Sequence, residues 1–378
     1  MLSARPAGAC RPPPDQQKEL AITTIAHPER PRVTVGVDTH LDVHVAHAKD
    51  QLGRRMETVS IPTTPGYQDL LAWARGLGEV EAWGVEGTGC YGAALTRFLG
   101  DQGQVVLEVN RPDRQARRRR GKSDPVDAEA AARSVQAGEV TTLPKAGTAT
   151  VEMIRSLRVA RQTAIKARTQ AINALKALLV TAPAQLREQL RGRSAAMLVR
   201  QAAALEPGPL VTPTAAAKLA LRCLACRYQA LHAEVATLDA ELARLVAKAA
   251  PGLVARFGVG PDSAGALLVA AGDNPGRLRS DACFSMLCGS SPIEASSGKT
   301  RRHRLNRGGD RQANAALYRI VVVRLRWHQP TKDYMARRLT EGKTTKEIIR
   351  CLKRYVAREI LNALPMLVAE KSRDSVLI

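Results

Sequence analysis

Four acidic residues in the first third of the chain have the types and spacing of a divalent metal site. Asp38 and Glu86 each end a short apolar run, and Asp124 and Asp127 lie three residues apart in a helical pattern. Residues three apart project from one face of a helix. Taken singly, each acid could be a helix cap or a surface charge. Four carboxylates brought together would repel one another unless cations neutralised them, so the set favours Mg²⁺ (or Mn²⁺) acting on a phosphoryl group.

Simpler structural roles are predicted for the other polar residues near these acids. Asp42, Asp113 and Glu129 are predicted to be surface charges. The histidines at positions 40, 44 and 47 nearly alternate along a predicted second strand, which favours a half-exposed edge strand over a histidine metal cluster.

A dense cluster of positive charge lies directly before Asp124. Residues 111–122 read RPDRQARRRRGK. Arginine can donate two parallel hydrogen bonds to a phosphate, so this cluster could hold a polyanion beside the acids. A solvated surface helix with local ion pairs is the alternative. The candidate nucleic-acid contacts here are Arg111, Arg114, Arg117, Arg118, Arg119, Arg120 and Lys122.

The last third of the chain combines a serine-glycine pair with many cations, in SSPIEASSGKTRRHRLNRGGDR (290–311). A serine hydroxyl is a weak nucleophile at neutral pH, but nearby cations can stabilise its alkoxide and hold the phosphate it attacks. Spacing alone favours a basic loop that only contacts phosphates. The candidate contacts are Lys299, Arg301, Arg302, Arg304 and Arg307.

A glycine pattern precedes this segment. Gly258 and Gly260 open a helical stretch, as in the turn of a helix-hairpin-helix module. Such a turn presents backbone N–H groups at a helix N-terminus, which can bind phosphate without reading sequence. Both glycines are therefore candidate nucleic-acid contacts.

Composition favours a globular protein with a polyanionic partner. The 378 residues carry 57 Lys+Arg against 35 Asp+Glu, a net charge of +22, and an excess of this kind is typical of nucleic-acid binding. No apolar run is long enough to span a bilayer, and the N-terminus has no apolar signal core, so a cytoplasmic location is expected. Cys223 and Cys226 favour reduced thiols over a zinc site, because no second pair accompanies them.

The order of predicted elements indicates an α/β domain followed by a helical region. Three sequential strands favour an antiparallel meander, and later strands alternate with helices, which favours parallel partners. This is the ribonuclease H-like order, in which strands one and four are neighbours and would bring Asp38 and Glu86 together. The strands are predicted at 32–38, 41–50, 54–62, 80–87 and 103–110, and the helices at 64–77, after 87 through 99, and 124–136.

Long helical patterns follow the first domain. Apolar residues spaced by three and four over 223–250 suggest a coiled coil or helical hairpin, with an ordinary bundle helix as the alternative. The predicted divisions are a disordered segment at 1–30, the acidic domain at 31–140, a linker and helical region at 141–250, and a mainly α region at 251–378.

The motifs resemble those of one family of insertion-sequence transposases. GVDTH (36–40), VEGTG (85–89) and KSDPVDAEAAAR (122–133) resemble the Asp-Glu-Asp-Asp motifs of the "one-ten" family, described as bridge-RNA-guided recombinases. GVGPDSAGALLVAAGD, FSMLCGSSPIEASSGK and RGGDRQANAALYRI resemble its C-terminal transposase domain. The resemblance covers roughly residues 32 to 330.

The resemblance implies a RuvC-like N-terminal domain, a coiled-coil linker used in oligomerisation, and a C-terminal domain with a nucleophilic serine. The acidic tetrad falls on Asp38, Glu86, Asp124 and Asp127, and the serine falls on Ser297, with Ser296 adjacent. The family typically shows asparagine where this chain has Asp310.

The implied activity is excision and insertion of a DNA element. The serine would attack the scissile phosphate and form a phosphoserine–DNA link at a composite site in a homodimer or homotetramer. An element-encoded bridge RNA would choose donor and target DNA. Two alternatives remain: a RuvC-like nuclease or junction resolvase that hydrolyses DNA with two metal ions, and a non-catalytic RNA–DNA binding protein.

Overall fold

The computed structural model describes residues 30–109, 123–147, 149–274, 277–278, 280–300 and 302–364. The arginine cluster of residues 111–122, Arg301 and all but the last residue of the predicted disordered segment lie outside these described residues. The chain divides into two compact units, Met1–Glu86 with Gln102–Val140, and Gly87–Asp101 with Thr141–Ile378.

The first unit is built on five strands. They are β1 (Arg32–Thr39), β2 (Val43–Asp50), β3 (Arg55–Pro62), β4 (Glu79–Glu86) and β5 (Val106–Val109). They form one mixed sheet in the order β3-β2-β1-β4-β5. β1 to β3 pair antiparallel, whereas β1, β4 and β5 are parallel. The predicted meander, and the placement of strands one and four side by side, are confirmed.

Three helices occur among the described residues up to 140. They are α1 (Tyr67–Leu77), α2 (Ala93–Asp101, assigned to the second unit) and α3 (Asp124–Gln136). α3 packs on the central strands. Ser123 is its N-cap residue and Pro125 lies in its first turn, where a missing N–H is tolerated. Asp124 is therefore not the N-cap, and its side chain is available for another role.

The prediction that the histidines lie on a half-exposed edge strand is wrong. β2 lies between β3 and β1, and seven of its eight residues are buried. His44 and His47 are 1% and 5% exposed, because the sheet is covered on both faces at this point. His40 is not on the strand at all but in the loop that follows β1.

Two long helices dominate the second unit and pack along each other. The helices of this part are α4 (Thr150–Thr181), α5 (Ala184–Leu190), α6 (Ala195–Ala203) and α7 (Pro213–Ala249). At the start of α7, the Thr212 hydroxyl accepts a 3.2 Å hydrogen bond from the Ala215 N–H. Pro251 follows its end. The predicted long helices are confirmed for α4 and α7, whereas α5 and α6 are short. The use of the long helices in oligomerisation stays a prediction.

The remaining described residues are mainly helical around one apolar core. The elements are α8 (Pro251–Val254), α9 (Pro261–Ala271), α10 (Asp281–Leu287), β6 (Ile293–Glu294), β7 (His303–Arg304), α11 (Arg311–Trp327), α12 (Gln329–Thr340) and α13 (Thr345–Asn362). α9 is buried at eight of its eleven positions, as expected of a central helix. None of the helices described is both long and apolar enough to cross a membrane.

Candidate functional site

Two glycines position the acidic residues of the first unit. Gly36 on β1 and Gly84 on β4 are direct partners in the parallel pairing. A Cβ at Gly36 would lie 2.1 Å from the Ala128 carbonyl oxygen and 2.2 Å from the Ala132 nitrogen of α3. α3 therefore lies directly on the backbone of the central strands. Since side chains alternate along a strand, the residues two positions after each glycine point to the same face as α3.

Those two residues are Asp38 and Glu86. The last registered pair of β1 and β4 is Val37 with Val85, so the two acids come next at one end of the strands. The Thr39 hydroxyl donates a 2.8 Å hydrogen bond to the Glu86 carbonyl oxygen, which holds the strand ends together. The register thus places the two acids on neighbouring strands at one edge of the sheet, while Glu86 is not in the described group of side chains close enough to share a metal ion.

The N-terminus of α3 brings the other acids to the same place. Ligand atoms of Asp38, His40 and Asp124 all lie within 4.8 Å of one another. His40 Nε2 is 3.3 Å from Asp38 Oδ2 and 3.4 Å from Asp124 Oδ1. Asp127, one turn later, is only 3% exposed. His40 was not predicted as part of the site, although its position two residues after Asp38 was a signal.

Among the described residues, His40 is the basic side chain beside Asp38 and Asp124. Burial raises the pKa of Asp38, the nearby His40 opposes that rise, and Asp127 and Asp124 add to it. Within the described part of the chain, no arginine or lysine pairs with Asp38 or Asp124. Carboxylate oxygens with one imidazole nitrogen are a donor set that fits a divalent cation, which would relieve this repulsion.

Glu129, on the same helix, shows the opposite arrangement. It is 7% exposed rather than a surface charge, so that prediction is wrong. Its carboxylate pairs with Arg55 at 2.8 Å and with Lys49 at 3.6 Å. Burial alone would raise the pKa of Glu129, but Arg55 and Lys49 hold it below its ordinary value. Glu129 is thus neutralised by ion pairs within the protein, whereas none of the described arginines or lysines forms an ion pair with Asp38.

Ser297 lies at the tip of a hairpin in the second unit. β6 and β7 pair antiparallel, and beyond them Ser297 and Thr300 exchange backbone hydrogen bonds of 3.1 and 3.0 Å. Gly298 takes a φ of +54° between them, a conformation that favours glycine. This turn leaves the Ser297 side chain exposed.

The neighbouring serine is engaged in the hairpin. The Ser296 hydroxyl accepts a 3.2 Å hydrogen bond from the Arg302 N–H and lies 3.4 Å from the Arg302 carbonyl oxygen. The Ser297 hydroxyl has no hydrogen-bond partner among the residues described. The geometry therefore favours Ser297 over Ser296 as the hydroxyl that can reach a substrate.

The cations predicted around Ser297 are exposed where they are described. Lys299, Arg302, Arg304 and Arg307 all lie on the surface of this hairpin and the loop after it. Asp310 caps α11, accepting hydrogen bonds from the N–H groups of residues 312 and 313 at 2.8 and 2.9 Å. Aspartate and asparagine cap helices equally well, so the departure from the family pattern at this position changes little locally.

The glycine turn lies directly before α9. Gly258 has a φ of +77°, and Gly260 is the N-cap residue of α9. Asp262 in the first turn of that helix pairs with Arg158 and, at 2.9 Å, with Arg319. Contact of the two glycines with nucleic acid stays a prediction.

Cys223 and Cys226, which the sequence predicts to be reduced thiols, lie on α7. Cys223 and Cys226 are exposed and form no disulfide. Within the described ranges, the one group that could hold a metal is that of Asp38, His40 and Asp124.

Two family models match the chain without overlapping. Residues 35–182 match a model described as a transposase, with a DEDD domain of the IS110 type. Residues 253–336 match a model described as the transposase IS116/IS110/IS902 family. No curated protein matches this sequence. The two matches together span more than half of the chain, occur in the order expected and include the acidic cluster and Ser297. The chain belongs to the IS110, or "one-ten", family of transposases, enzymes that cleave and rejoin DNA.

Proposed function

We propose that this transposase excises and inserts its element by RNA-guided strand exchange through a phosphoserine–DNA intermediate. The observation that carries the proposal is the exposed, unengaged Ser297 hydroxyl, next to a Ser296 hydroxyl that the hairpin itself occupies. The cations of the hairpin would hold the scissile phosphate against Ser297.

In the cleavage step, a bond forms between Ser297 Oγ and the scissile phosphorus while the bond from phosphorus to a deoxyribose oxygen breaks. The proton of the hydroxyl passes to a base or to water, and the released strand end takes up a proton. A hydroxyl of the exchanged strand then attacks the phosphoserine and restores the serine, so no external energy source is needed.

The acidic cluster would hold Mg²⁺ or Mn²⁺ through Asp38, Glu86, Asp124 and Asp127, with His40 beside them. When bound, the metal would supply charge stabilisation to the phosphate. The order of the sheet and the packing of α3 support a ribonuclease H-like, RuvC-like fold for the first unit. The remaining parts of the proposal are a bridge RNA that selects the target, a homodimer or homotetramer, and action at the nucleoid.

A hydrolytic nuclease is the competing function, because the acidic cluster alone could support two-metal hydrolysis. An assay with labelled donor and target DNA, element RNA and Mg²⁺ separates the two. Strand exchange predicts joined products whose formation needs Ser297 and Asp127. Free cleaved ends that the Ser297→Ala variant still produces would establish hydrolysis instead.

A further inference from the structure

A basic cleft lies beside the serine hairpin, between β7 and helix α13. Its volume is about 900 Å³. Arg304 enters it from β7, and Lys343, Arg350, Lys353, Arg354 and Tyr355 line it from α13 and the turn before that helix. The motifs that place this chain in its family do not involve α13.

Positive side chains outnumber negative ones along this cleft, with five arginines and lysines against one acid. Glu347 is the one acid that lines it, and its carboxylate accepts hydrogen bonds from the Thr344 N–H at 2.9 Å and hydroxyl at 2.7 Å. These hydrogen bonds, together with the nearby Lys343 and Arg350, hold the pKa of Glu347 below its ordinary value. Arg304, Lys343 and Arg350 form no ion pair with any residue the structure describes.

Two other cations are fixed in place at the cleft. Lys353 Nζ donates a 2.9 Å hydrogen bond to the Asn314 side-chain oxygen, a neutral partner. Burial, with a smaller effect of the neighbouring Arg350, lowers the pKa of Lys353. Arg354 donates to the Asp281 carbonyl oxygen at 2.9 Å and to the Ser285 hydroxyl, and it pairs with the Asp281 carboxylate at 3.5 Å. The cleft is thus preorganised for an anion.

An exposed aromatic ring completes the cleft. Tyr355 is 54% exposed, yet its ring is held by an edge contact with Tyr334, with centroids 5.7 Å apart. Stacking of a base on such a ring tolerates any sequence, because every base has a π face.

We propose that this cleft binds one unpaired nucleotide of a nucleic-acid strand, with its base against Tyr355 and its flanking phosphates held by Arg304, Lys343 and Arg350. A base inside a duplex is covered by its neighbours and could not reach the ring, so the strand must be single or locally opened. The inference rests on the proposed function only in assuming a nucleic-acid substrate. It requires no chemistry at Ser297.

Cys351 gives a local readout, because it also lines the cleft. The intact protein, free of metal, is saturated with a short single strand of DNA or of RNA, as judged by fluorescence anisotropy. Peptide mass spectrometry then measures the rate at which N-ethylmaleimide alkylates each cysteine. Either strand should slow alkylation of Cys351 by about fivefold or more. The strand that protects Cys351 better, DNA or RNA, identifies the nucleic acid that the cleft binds. Cys223, exposed on α7, is the internal control and should react unchanged.

Variants assign the protection to the proposed contacts. Tyr355→Ala should lose it and Tyr355→Phe should keep it. The double variant Lys343→Gln/Arg350→Gln should lose it and lower the salt dependence of binding by about 0.7 per phosphate contact. Lys346→Gln, an exposed lysine of α13 outside the cleft, is the matched control.

Saturating strand that leaves Cys351 as reactive as in the free protein would overturn the proposal. Equal protection by duplex DNA, or protection that persists in Tyr355→Ala, would overturn it as well. Loss of strand exchange with intact Cys351 protection would instead count against the proposed function alone.

Discussion

Replacing Gly36 by alanine should displace Asp124 and Asp127 of the acidic cluster without changing any acidic side chain. The added Cβ would lie 2.1 Å from the Ala128 carbonyl oxygen, whereas such contacts need at least about 3 Å, so α3 must move by about 1 Å. The obstacle is helix backbone, which cannot rotate away as a side chain can. Overpacking of this kind costs about 1–3 kcal/mol of stability. A shift of about 1 Å at a reacting group can cost on the order of 100-fold in rate.

The chain offers a graded series for this test. At Gly84 the nearest atom to an added Cβ is Val135 Cγ2 at 2.7 Å, a side-chain atom that can yield in part. At Gly76 on α1 nothing lies within 4 Å, and alanine is a better helix former, so this substitution should be neutral or stabilising by up to about 1 kcal/mol. The expected order of damage is Gly36→Ala, then Gly84→Ala, then Gly76→Ala.

Urea unfolding gives the stability of each variant, and thermal unfolding with and without Mn²⁺ gives the response of the acidic centre. Gly36→Ala should lose both stability and most of the stabilisation by metal, and strand cleavage should fall by on the order of 100-fold. If Gly36→Ala matched Gly76→Ala in stability and in metal response, the reasoning from close packing of α3 would be refuted.

Three further substitutions test the electrostatics of the first unit. Asp38→Asn should stabilise the metal-free protein at neutral pH, as measured by thermal unfolding. Burial raises the pKa of Asp38 above 3.8, so its ionisation at neutral pH opposes folding. Asp42→Asn, at an exposed acid, is the control. For the same reason, the stability difference between Asp38→Asn and the wild type should grow as the pH rises from 3.8 through the raised pKa of Asp38. Glu129→Gln should lower the free energy of unfolding by about 3 kcal/mol in urea, because Lys49, 5% exposed, loses its counter-charge, and an unchanged midpoint would contradict this. His40→Ala should weaken Mn²⁺ binding by about tenfold in calorimetry, and equal affinity would remove His40 from the metal centre.

The sheet and its acidic edge could be predicted because local patterns determine them. Apolar runs marked β1 and β4, and the alternation of strands with helices made them parallel neighbours. Once they are neighbours, Asp38 and Glu86 must lie at the same edge. Asp124 and Asp127 lie three residues apart on one face of α3, so both lie near this edge once α3 crosses it.

Other features depend on contacts between residues far apart in sequence. Glu129 is buried because Lys49 and Arg55 reach it from β2 and β3, and no local pattern shows that pairing. The burial of His44 and His47 follows from β2 lying inside the sheet, which the alternation along that strand does not reveal. The difference between Ser296 and Ser297 depends on which hydroxyl reaches Arg302 across the hairpin.

The most direct test is to trap the protein on DNA and map the attached residue. Wild-type protein, Mg²⁺, element RNA and labelled donor and target DNA are denatured during the reaction, and the adduct is digested and analysed by mass spectrometry. Phosphoserine–DNA at Ser297 is predicted, with the adduct kept by Ser296→Ala and lost in Ser297→Ala and Asp127→Ala. Cleaved DNA without any adduct, formed equally by Ser297→Ala, would contradict a serine recombinase.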